Sequence, residues 1–200
     1  MEIAICILLG YLVGTLNPAA LLAKIKEVDL KGQGTHNLGA TNTFMVIGRG
    51  YGILVMVLDI AKAFLVVKAA QLMFPKMMLA GLLAGCSAVC GHVWPFYMKF
   101  KGGKGLAAFA GMILAFDAAI FAILVVVCFG LMFAFNYAVV LPISAAILFP
   151  VVTAIRYPDL TVIIPVVLVS LLVLVKNWSS LRKAWRGEVV KFTEYFKKTA

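Results

Sequence analysis

The chain alternates long apolar stretches with short polar connections, and this pattern predicts helices that cross a membrane. A tilted helix needs about 20 apolar residues to cross the bilayer core, within a range of about 17–25. Six of the seven apolar segments reach or nearly reach that length, and the fourth is short. The fourth is either a span at a thin part of the bilayer or a half-helix packed inside the bundle. The segments run approximately over residues 3–23, 52–73, 77–97, 104–116, 118–135, 138–156 and 159–176.

The last stretch, residues 178–200, has a different pattern and predicts an amphipathic helix that lies in the membrane interface. Its large apolar residues recur every three or four positions, with arginines and lysines between them. Such a pattern directs aromatic rings toward lipid and cations toward headgroups. A basic tail without fixed structure is the alternative. The predicted organisation is a seven-helix transmembrane domain over residues 1–177 and a cytoplasmic amphipathic tail over residues 178–200.

Composition places the chain among membrane proteins. Of its 200 residues, 64% are hydrophobic and 13% are charged, and the mean hydropathy is +1.07. A soluble domain is about half apolar and a quarter charged. We therefore predict an all-α polytopic membrane protein with about seven transmembrane helices and a C-terminal interfacial helix. The four cysteines lie inside apolar segments without the spacing of a metal site, so we expect no metal.

The basic residues are distributed unevenly around the predicted spans. With seven spans, 14 of the 18 lysines and arginines fall on one side of the membrane. Cations accumulate on the cytoplasmic side of membrane proteins. We therefore predict a multi-pass protein of the plasma membrane with its N-terminus outside and its C-terminus and active site in the cytoplasm. The net charge of +10 is explained by this topology, and no nucleic-acid partner is expected.

Two polar connections share that cytoplasmic side. In KGGKG, residues 101–105, glycines allow the backbone to approach an anion, and two lysines and the start of a helix add positive charge. A phosphate group is the natural ligand, although the Ser or Thr of a Walker A loop is missing. The alternative is a basic turn that binds no ligand, whose lysines only reflect the excess of positive charge on the cytoplasmic side. His92, just upstream, either donates to the phosphate or caps backbone carbonyls.

The other connection, KGQGTHNLGATN over residues 31–42, combines three glycines with threonine and asparagine side chains. It either binds a ligand or connects helices with capping residues. In the second apolar segment, Asp59 and Lys62 share a helix face and predict a buried ion pair. The sequence shows no nucleophile with a paired base. An enzyme of this kind needs an activated substrate and acts by positioning and electrostatic stabilisation.

These motifs resemble those of a known family, the bacterial acyl-phosphate:glycerol-3-phosphate acyltransferases. LKGQGTHNLGATN resembles the family's first signature, SGNxGATNxxR, and GHVWPFYMKFKGGKGLAAFAG resembles the second, GHxxPxxxxFKGGKGxAT. The resemblance covers the chain well to about residue 111 and thereafter by hydropathy and length. It implies a seven-helix enzyme of phospholipid biosynthesis in the inner membrane. The implied reaction moves a fatty acyl group from acyl-phosphate to glycerol-3-phosphate and forms lysophosphatidic acid and phosphate.

The resemblance also implies roles for individual residues. It implies no cofactor. The implied partners are glycerol-3-phosphate, acyl-phosphate and membrane lipid, and the protein is expected to be a monomer. The implied catalytic residues are Lys104, Thr35 and Asn37. The implied substrate-binding residues are Gly39, Thr41, Asn42, Arg49, His92, Gly102, Gly103, Gly105 and Ser180.

The chain departs from the family pattern at several positions. His36 stands where the first signature has glycine, and Met45 stands where it has arginine, with Arg49 one helical turn further on. In the third signature, HRxNIxRLxxGxE, Asn177 replaces histidine and Ser180 replaces asparagine. The alternative function is therefore a non-catalytic or transport-type membrane protein that binds a phosphorylated small molecule.

Overall fold

The protein is helical throughout the part of the chain that the structure describes. The computed structural model describes residues 1–194, in which helices and turns occur without strands. The chain forms two compact units, Met1–Asp117 and a second that begins at Ala118. The first contains α1 (Glu2–Thr15), α2 (Pro18–Ile25), α3 (Ala40–Val46), α4 (Arg49–Met73), α5 (Ala80–Val93), a 3-10 turn (Phe96–Met98) and α6 (Leu106–Phe116). The second contains α7 (Ala118–Phe135), α8 (Val140–Arg156) and α9 (Leu160–Trp185). The all-α prediction is confirmed.

The first apolar segment is divided into two helices by an asparagine and a proline. α1 ends at Thr15, and Asn17 has an extended conformation before α2 begins at Pro18. Oδ1 of Asn17 accepts a hydrogen bond of 2.8 Å from the N–H of Ala20 and so caps α2. Proline suits the first helical position because an N–H there has no partner within the helix. The interruption leaves carbonyls at the end of α1 available to side chains from other segments.

Small residues allow α1 and α5 to pack with their backbones in contact. A methyl carbon added to Gly10 would overlap the backbone of Ala84, and one added to Gly14 would overlap Ala88. The spacing of four residues on both helices is the small-residue pattern that membrane helices use for close packing. This contact fixes α5, whose last residues enter the candidate site.

The structure also contains a short helix that the hydrophobic pattern did not predict. α3 occupies residues 40–46 of the polar connection, and Gly39 precedes it in an extended conformation. A methyl carbon on Gly52 of α4 would overlap Phe44 of α3, so the two helices lie in close contact. The polar connection is therefore partly a packed element of the first unit.

The length and hydropathy of three stretches suit membrane crossing. They are the 24 residues Glu2–Ile25, which span α1 and α2, the 18 residues of α7 and the 26 residues of α9. α4 is 25 residues long but carries four charged residues. α6 and α8 are apolar and shorter, with 11 and 17 residues. The number of crossings, predicted as seven, stays a prediction.

The predicted C-terminal amphipathic helix is not seen as a separate element in the described residues. Residues 178–185 belong to α9, and residues 186–193 are not helical. The helix ends because Gly187 adopts φ of 71°, and N–H groups beyond the end donate to the carbonyls of Lys183 and Ala184. Residues 195–200 of the predicted helix lie outside the described residues. The division into domains at residues 177 and 178 stays a prediction.

In the second unit, Asn136 attaches the segment after α9 to the turn between α7 and α8. Asn136 has φ of 58°, and its carbonyl accepts from the N–H of Phe192 at 2.8 Å. Its side chain accepts from the N–H of Thr193 at 3.0 Å and donates to that residue's hydroxyl at 3.1 Å. Asparagine tolerates the left-handed region better than most residues, so it suits this position. The ring of Phe192 also packs edge-on against Phe133.

At the other end of the same unit, Asp159 caps α9. Its Oδ1 accepts from both the N–H and the hydroxyl of Thr161 at 2.8 Å. The backbone hydrogen bond, followed by that of the hydroxyl, holds the pKa of the Asp159 carboxyl below its usual range because both favour the ionised form.

Candidate active site

Asn42 holds the first polar connection in a fixed conformation. The residue is completely buried in α3. Its Nδ2 donates to the carbonyls of Leu30 at 2.7 Å and Gln33 at 3.1 Å, and its Oδ1 accepts from the N–H of Thr35 at 2.6 Å. Both amide hydrogens and the oxygen of Asn42 thus bond to the loop. The side chain shapes the loop that carries the other polar residues of the motif.

We expect Asn42→Ala to lower the free energy of unfolding by about 1–3 kcal/mol, because it leaves buried backbone groups without partners. Hydrogen exchange of residues 30–35 should become faster in the variant, and limited proteolysis of that loop should increase. Gln33→Ala is the control, since the Gln33 side chain is exposed and its carbonyl remains in place. Equal protection of the loop in both variants would contradict this role.

His36 lies in a region of backbone conformation that favours glycine. Its φ is 58°, which costs a residue with a Cβ about 1–2 kcal/mol. Nδ1 of His36 lies 2.9 Å from the carbonyl of Lys31, and this bond offsets part of that cost. The left-handed conformation gives a physical reason for the glycine in the family signature.

His36→Val should therefore destabilise the protein by about 1–3 kcal/mol, because a β-branched residue is strongly disfavoured at positive φ. His36→Asn is the matched control and should unfold at nearly the wild-type temperature. Thermal unfolding in detergent compares the two, and equal losses would show that backbone conformation is not the cause.

The second polar connection folds back on the end of α5. The N–H of Gly102 donates to the carbonyl of Val93, and the N–H of Gly103 donates to that of His92, both at 3.1 Å. A methyl carbon on Gly102 would overlap the His92 carbonyl oxygen, so the close approach requires glycine. These two N–H groups cap the end of α5. Both N–H groups thus have partners within the protein, and the substrate-binding role of Gly102 and Gly103 stays a prediction.

α6 begins directly behind this connection. Gly105 has φ of 90°, and its carbonyl accepts from the N–H of Phe109 at 2.8 Å, which starts the helix. The first N–H groups of a helix have no partner within it, and the helix dipole adds positive charge at that end. Lys104 is half-buried immediately before this helix start. The positive end of α6 and the adjacent Lys104 together make this part of the chain suited to an anion.

The two polar connections meet at Leu38 and Gly103. A methyl carbon on Gly103 would lie 3.0 Å from the carbonyl oxygen of Leu38. Nδ2 of Asn17 donates to the same carbonyl at 3.5 Å, and the Leu38 side chain is buried. Asn37 precedes Leu38 in the chain and Lys104 follows Gly103, so the structure brings the two motifs together.

A buried charged cluster lies behind Gly103. Nζ of Lys62 is 2.7 Å from Oδ1 of Asp59 and 3.0 Å from Nδ1 of His92, and it donates to the carbonyl of Leu16. Nδ1 of His92 is also 3.3 Å from Oδ1 of Asp59. The exposed fractions of Asp59, Lys62 and His92 are 1%, 8% and 3%. The predicted Asp59–Lys62 ion pair is confirmed, and it includes His92.

The opposite ring nitrogen of His92 faces the glycine-rich connection. A methyl carbon on Gly103 would overlap Nε2 of His92. His92 therefore links the buried pair to the backbone beside Lys104. Nδ1 of His92 contacts the charged pair and caps no carbonyl, and the predicted contact of His92 with a phosphate stays a prediction.

The remaining predicted residues lie at different places in the two units. Thr35 and Thr41 are exposed, Asn37 is half-buried, Gly39 precedes α3, and Arg49 is exposed at the start of α4. Ser180 is half-buried on α9 and belongs to the second unit. Met45, at the position of the family arginine, is exposed on α3.

Sequence reasoning missed several residues that support the site. Asn17 binds the Leu38 carbonyl, and the hydroxyl of Tyr97 donates to the carbonyl of Thr15 at 2.6 Å. The Asn17–Pro18 dipeptide is a helix-start signal that was available in the sequence. No local signal indicates the bond of Tyr97, because its partner is 82 residues away in the chain.

Comparison with known proteins identifies the family to which the chain is similar. A family model described as glycerol-3-phosphate acyltransferase matches residues 4–187. The glycerol-3-phosphate acyltransferase of Staphylococcus aureus is 33% identical over 199 residues, covering 96% of this chain and 98% of that relative. That of Macrococcus caseolyticus is 39% identical over 137 residues, covering 66% and 68%.

Two solved structures of PlsY, an integral membrane glycerol 3-phosphate acyltransferase, share the fold. The glycerol 3-phosphate form has a TM-score of 0.92 at 25% identity and covers 100% of both chains. The lysophosphatidic acid form has a TM-score of 0.85 at 25% identity and covers 96% of this chain and 95% of that one. With the match over residues 4–187, these likenesses show that the chain is a membrane protein of the glycerol-3-phosphate acyltransferase family.

Proposed function

We propose that this protein is an acyltransferase that uses acyl-phosphate to acylate glycerol-3-phosphate. The hydroxyl oxygen of glycerol-3-phosphate forms a bond to the acyl carbonyl carbon, and the bond from that carbon to the phosphate oxygen breaks. The products are lysophosphatidic acid and inorganic phosphate. Because the mixed anhydride is already activated, the reaction requires no covalent acyl-enzyme.

The observation that carries this proposal is the meeting of the two motifs at Leu38 and Gly103. Asn37 precedes Leu38 in the chain, and Lys104 and the start of α6 follow Gly103, so this contact supports a site built from both motifs. Both substrates carry a phosphate, and this place combines a positive helix end with an ammonium group. An anion-binding site of this kind suits the positioning of two phosphorylated substrates.

The chain's residues divide into groups that touch substrate and groups that hold the site. Lys104 stabilises the negative charge that develops on the phosphoryl oxygens of the leaving group. The exposed Thr35 and Thr41, the half-buried Asn37 and the exposed Arg49 offer hydrogen bonds to glycerol-3-phosphate. Asn42, together with Gly102 and Gly103, acts on backbone geometry, since their polar groups are engaged within the protein.

The test is a transfer assay with purified protein in lipid nanodiscs. The protein is given synthetic acyl-phosphates of several chain lengths and isotope-labelled glycerol-3-phosphate, and lysophosphatidic acid is measured by mass spectrometry. Formation of labelled product supports the proposal. Absence of product at every chain length, with the protein folded, contradicts it. Uptake of labelled glycerol-3-phosphate into proteoliposomes without any acyl donor would instead support the transport alternative.

We further propose that the site faces the cytoplasm and that the N-terminus lies outside the plasma membrane. The concentration of 14 of 18 cations on one side of the predicted spans supports this orientation. A membrane-impermeant maleimide applied to whole cells should label a cysteine placed at Lys76 and not one placed at Lys99. The reverse pattern would contradict the orientation.

We propose a monomer as the working unit, which mass photometry in nanodiscs can test.

A further inference from the structure

We propose that Lys62 and Asp59 are positioning residues that keep the proton of neutral His92 on Nε2, so that this N–H is a fixed donor beside Gly103 and Lys104. The proposal rests on the proposed acyl transfer at this site. It assigns the buried pair a role in the reaction beyond holding helices together.

The hydrogen bonds of Lys62 determine which nitrogen of His92 carries the proton. An ammonium group has three N–H donors and no acceptor. Nζ of Lys62 lies within hydrogen-bond distance of the Leu16 carbonyl and of Nδ1 of His92, and it forms an ion pair with Oδ1 of Asp59 at 2.7 Å. A ring nitrogen that accepts from an ammonium group carries no hydrogen. The single proton of a neutral imidazole must then be on Nε2.

The competing arrangement has the proton on Nδ1, with Asp59 as its acceptor. That contact is 3.3 Å long, whereas the separation between Nδ1 and Lys62 Nζ is 3.0 Å. A proton on Nδ1 would also point toward the ammonium and leave one of its N–H groups without an acceptor. An ammonium group has no lone pair to accept that proton, so Nδ1 can form a hydrogen bond with Lys62 only when it carries no hydrogen.

The position of Nε2 gives this tautomer a consequence for the site. Nε2 faces Gly103, whose own N–H is already bonded to the His92 carbonyl. The backbone at Gly103 therefore offers no N–H at this point, and the imidazole supplies one next to Lys104. An N–H donor beside Gly103 suits a phosphoryl oxygen, whereas an unprotonated Nε2 would repel it.

The tautomer can be measured in the wild-type protein without any assay of activity. The protein is labelled with ring-¹⁵N histidine, and the two neutral ring nitrogens have well-separated chemical shifts. His36 is the other of the two histidines, so His36→Asn identifies the signals of His92. We expect a protonated Nε2 and an unprotonated Nδ1 in His92. A protonated Nδ1, or protons on both nitrogens, would overturn the proposal.

Lys62→Met removes the ammonium while keeping an apolar side chain of similar length. The proton of His92 should then move to Nδ1 and donate to Asp59, which leaves Nε2 without a hydrogen. The matched control is Lys68→Met on the same helix, whose ammonium binds Gln71 and the Ala115 carbonyl instead. The control should leave the His92 signals unchanged. Should Lys62→Met fail to fold, the wild-type spectrum decides the question.

Kinetics separate positioning from a general loss of structure. Lys62→Met and His92→Gln should each lower kcat by about tenfold or more, and the double variant should be no slower than His92→Gln, because both remove the same donor. Losses that multiply in the double variant would overturn the proposal. A wild-type protein that shows the expected tautomer and transfers no acyl group would refute the proposed function and leave the tautomer assignment intact.

Discussion

Replacing Lys104 with alanine is expected to lower kcat/KM for acyl transfer by about 10²–10³-fold, the loss typical of removing one donor that stabilises charge in a transition state. Lys104 is half-buried between Gly103, where the two motifs meet, and the start of α6. We propose that its ammonium binds a phosphate held at the positive end of that helix. The measurement is initial-rate release of lysophosphatidic acid at several concentrations of both substrates.

The control for Lys104→Ala is Lys99→Asn. Lys99 is an exposed residue with φ of 53° at the end of the 3-10 turn, and asparagine tolerates this conformation. The control removes one positive charge from the same connection and should keep activity within about threefold of wild type, because exposed charges are screened. Similar losses in the two variants would mean that overall basic charge, and not the Lys104 position, is important.

Replacing Gly103 with alanine should damage both the stability and the activity of the protein. The added methyl would overlap Nε2 of His92 and lie 3.0 Å from the Leu38 carbonyl. Crowding of this kind typically costs about 1–3 kcal/mol. Because the methyl would separate the two motifs, we expect kcat/KM to fall at least about tenfold, well beyond what the loss of stability explains. Thermal unfolding and the transfer assay on the same preparation measure the two effects.

Gly130→Ala is the matched control for this substitution. Gly130 lies in α7, and a methyl carbon there would meet no atom within 4 Å. Alanine in a helix interior is favoured over glycine by about 0.5–1 kcal/mol, so the control should be as stable as wild type or slightly more stable. If Gly103→Ala behaves like this control, the close approach at Gly103 is not needed for function.

The helical segments were predictable because they follow from local chemistry. A long apolar stretch in a bilayer can satisfy its backbone groups only within a helix, so hydropathy located α4 to α8 and the start of α9 to within a few residues. The end of α9 was predicted at residue 176, nine residues before Trp185. The predicted boundaries of α7 at 118 and 135 agree with the structure. α3 was missed because its seven residues are too short and too polar to show a hydrophobic period.

The separate tail helix was predicted and is not found in the described residues. The cause lies in the conformation of a single residue near the end of α9. The apolar spacing from Trp178 onward is real, but residues up to Trp185 continue α9. Gly187 then takes a left-handed conformation and ends the helix. A single glycine outweighed the periodic pattern, because glycine reaches this conformation without steric cost.

The sequence by itself determined the chemistry available at the site: a lysine after two glycines, a run of amide and hydroxyl side chains, and a histidine just upstream. Only the tertiary structure decided what each group does. The N–H groups of Gly102 and Gly103 cap α5, the Asn42 side chain turns inward to the loop, and Lys62 reaches His92 across 30 residues of chain. These outcomes depend on helices brought together by close backbone packing. The spacing of residues along the chain does not indicate which distant donor or acceptor will form a hydrogen bond with a given polar group.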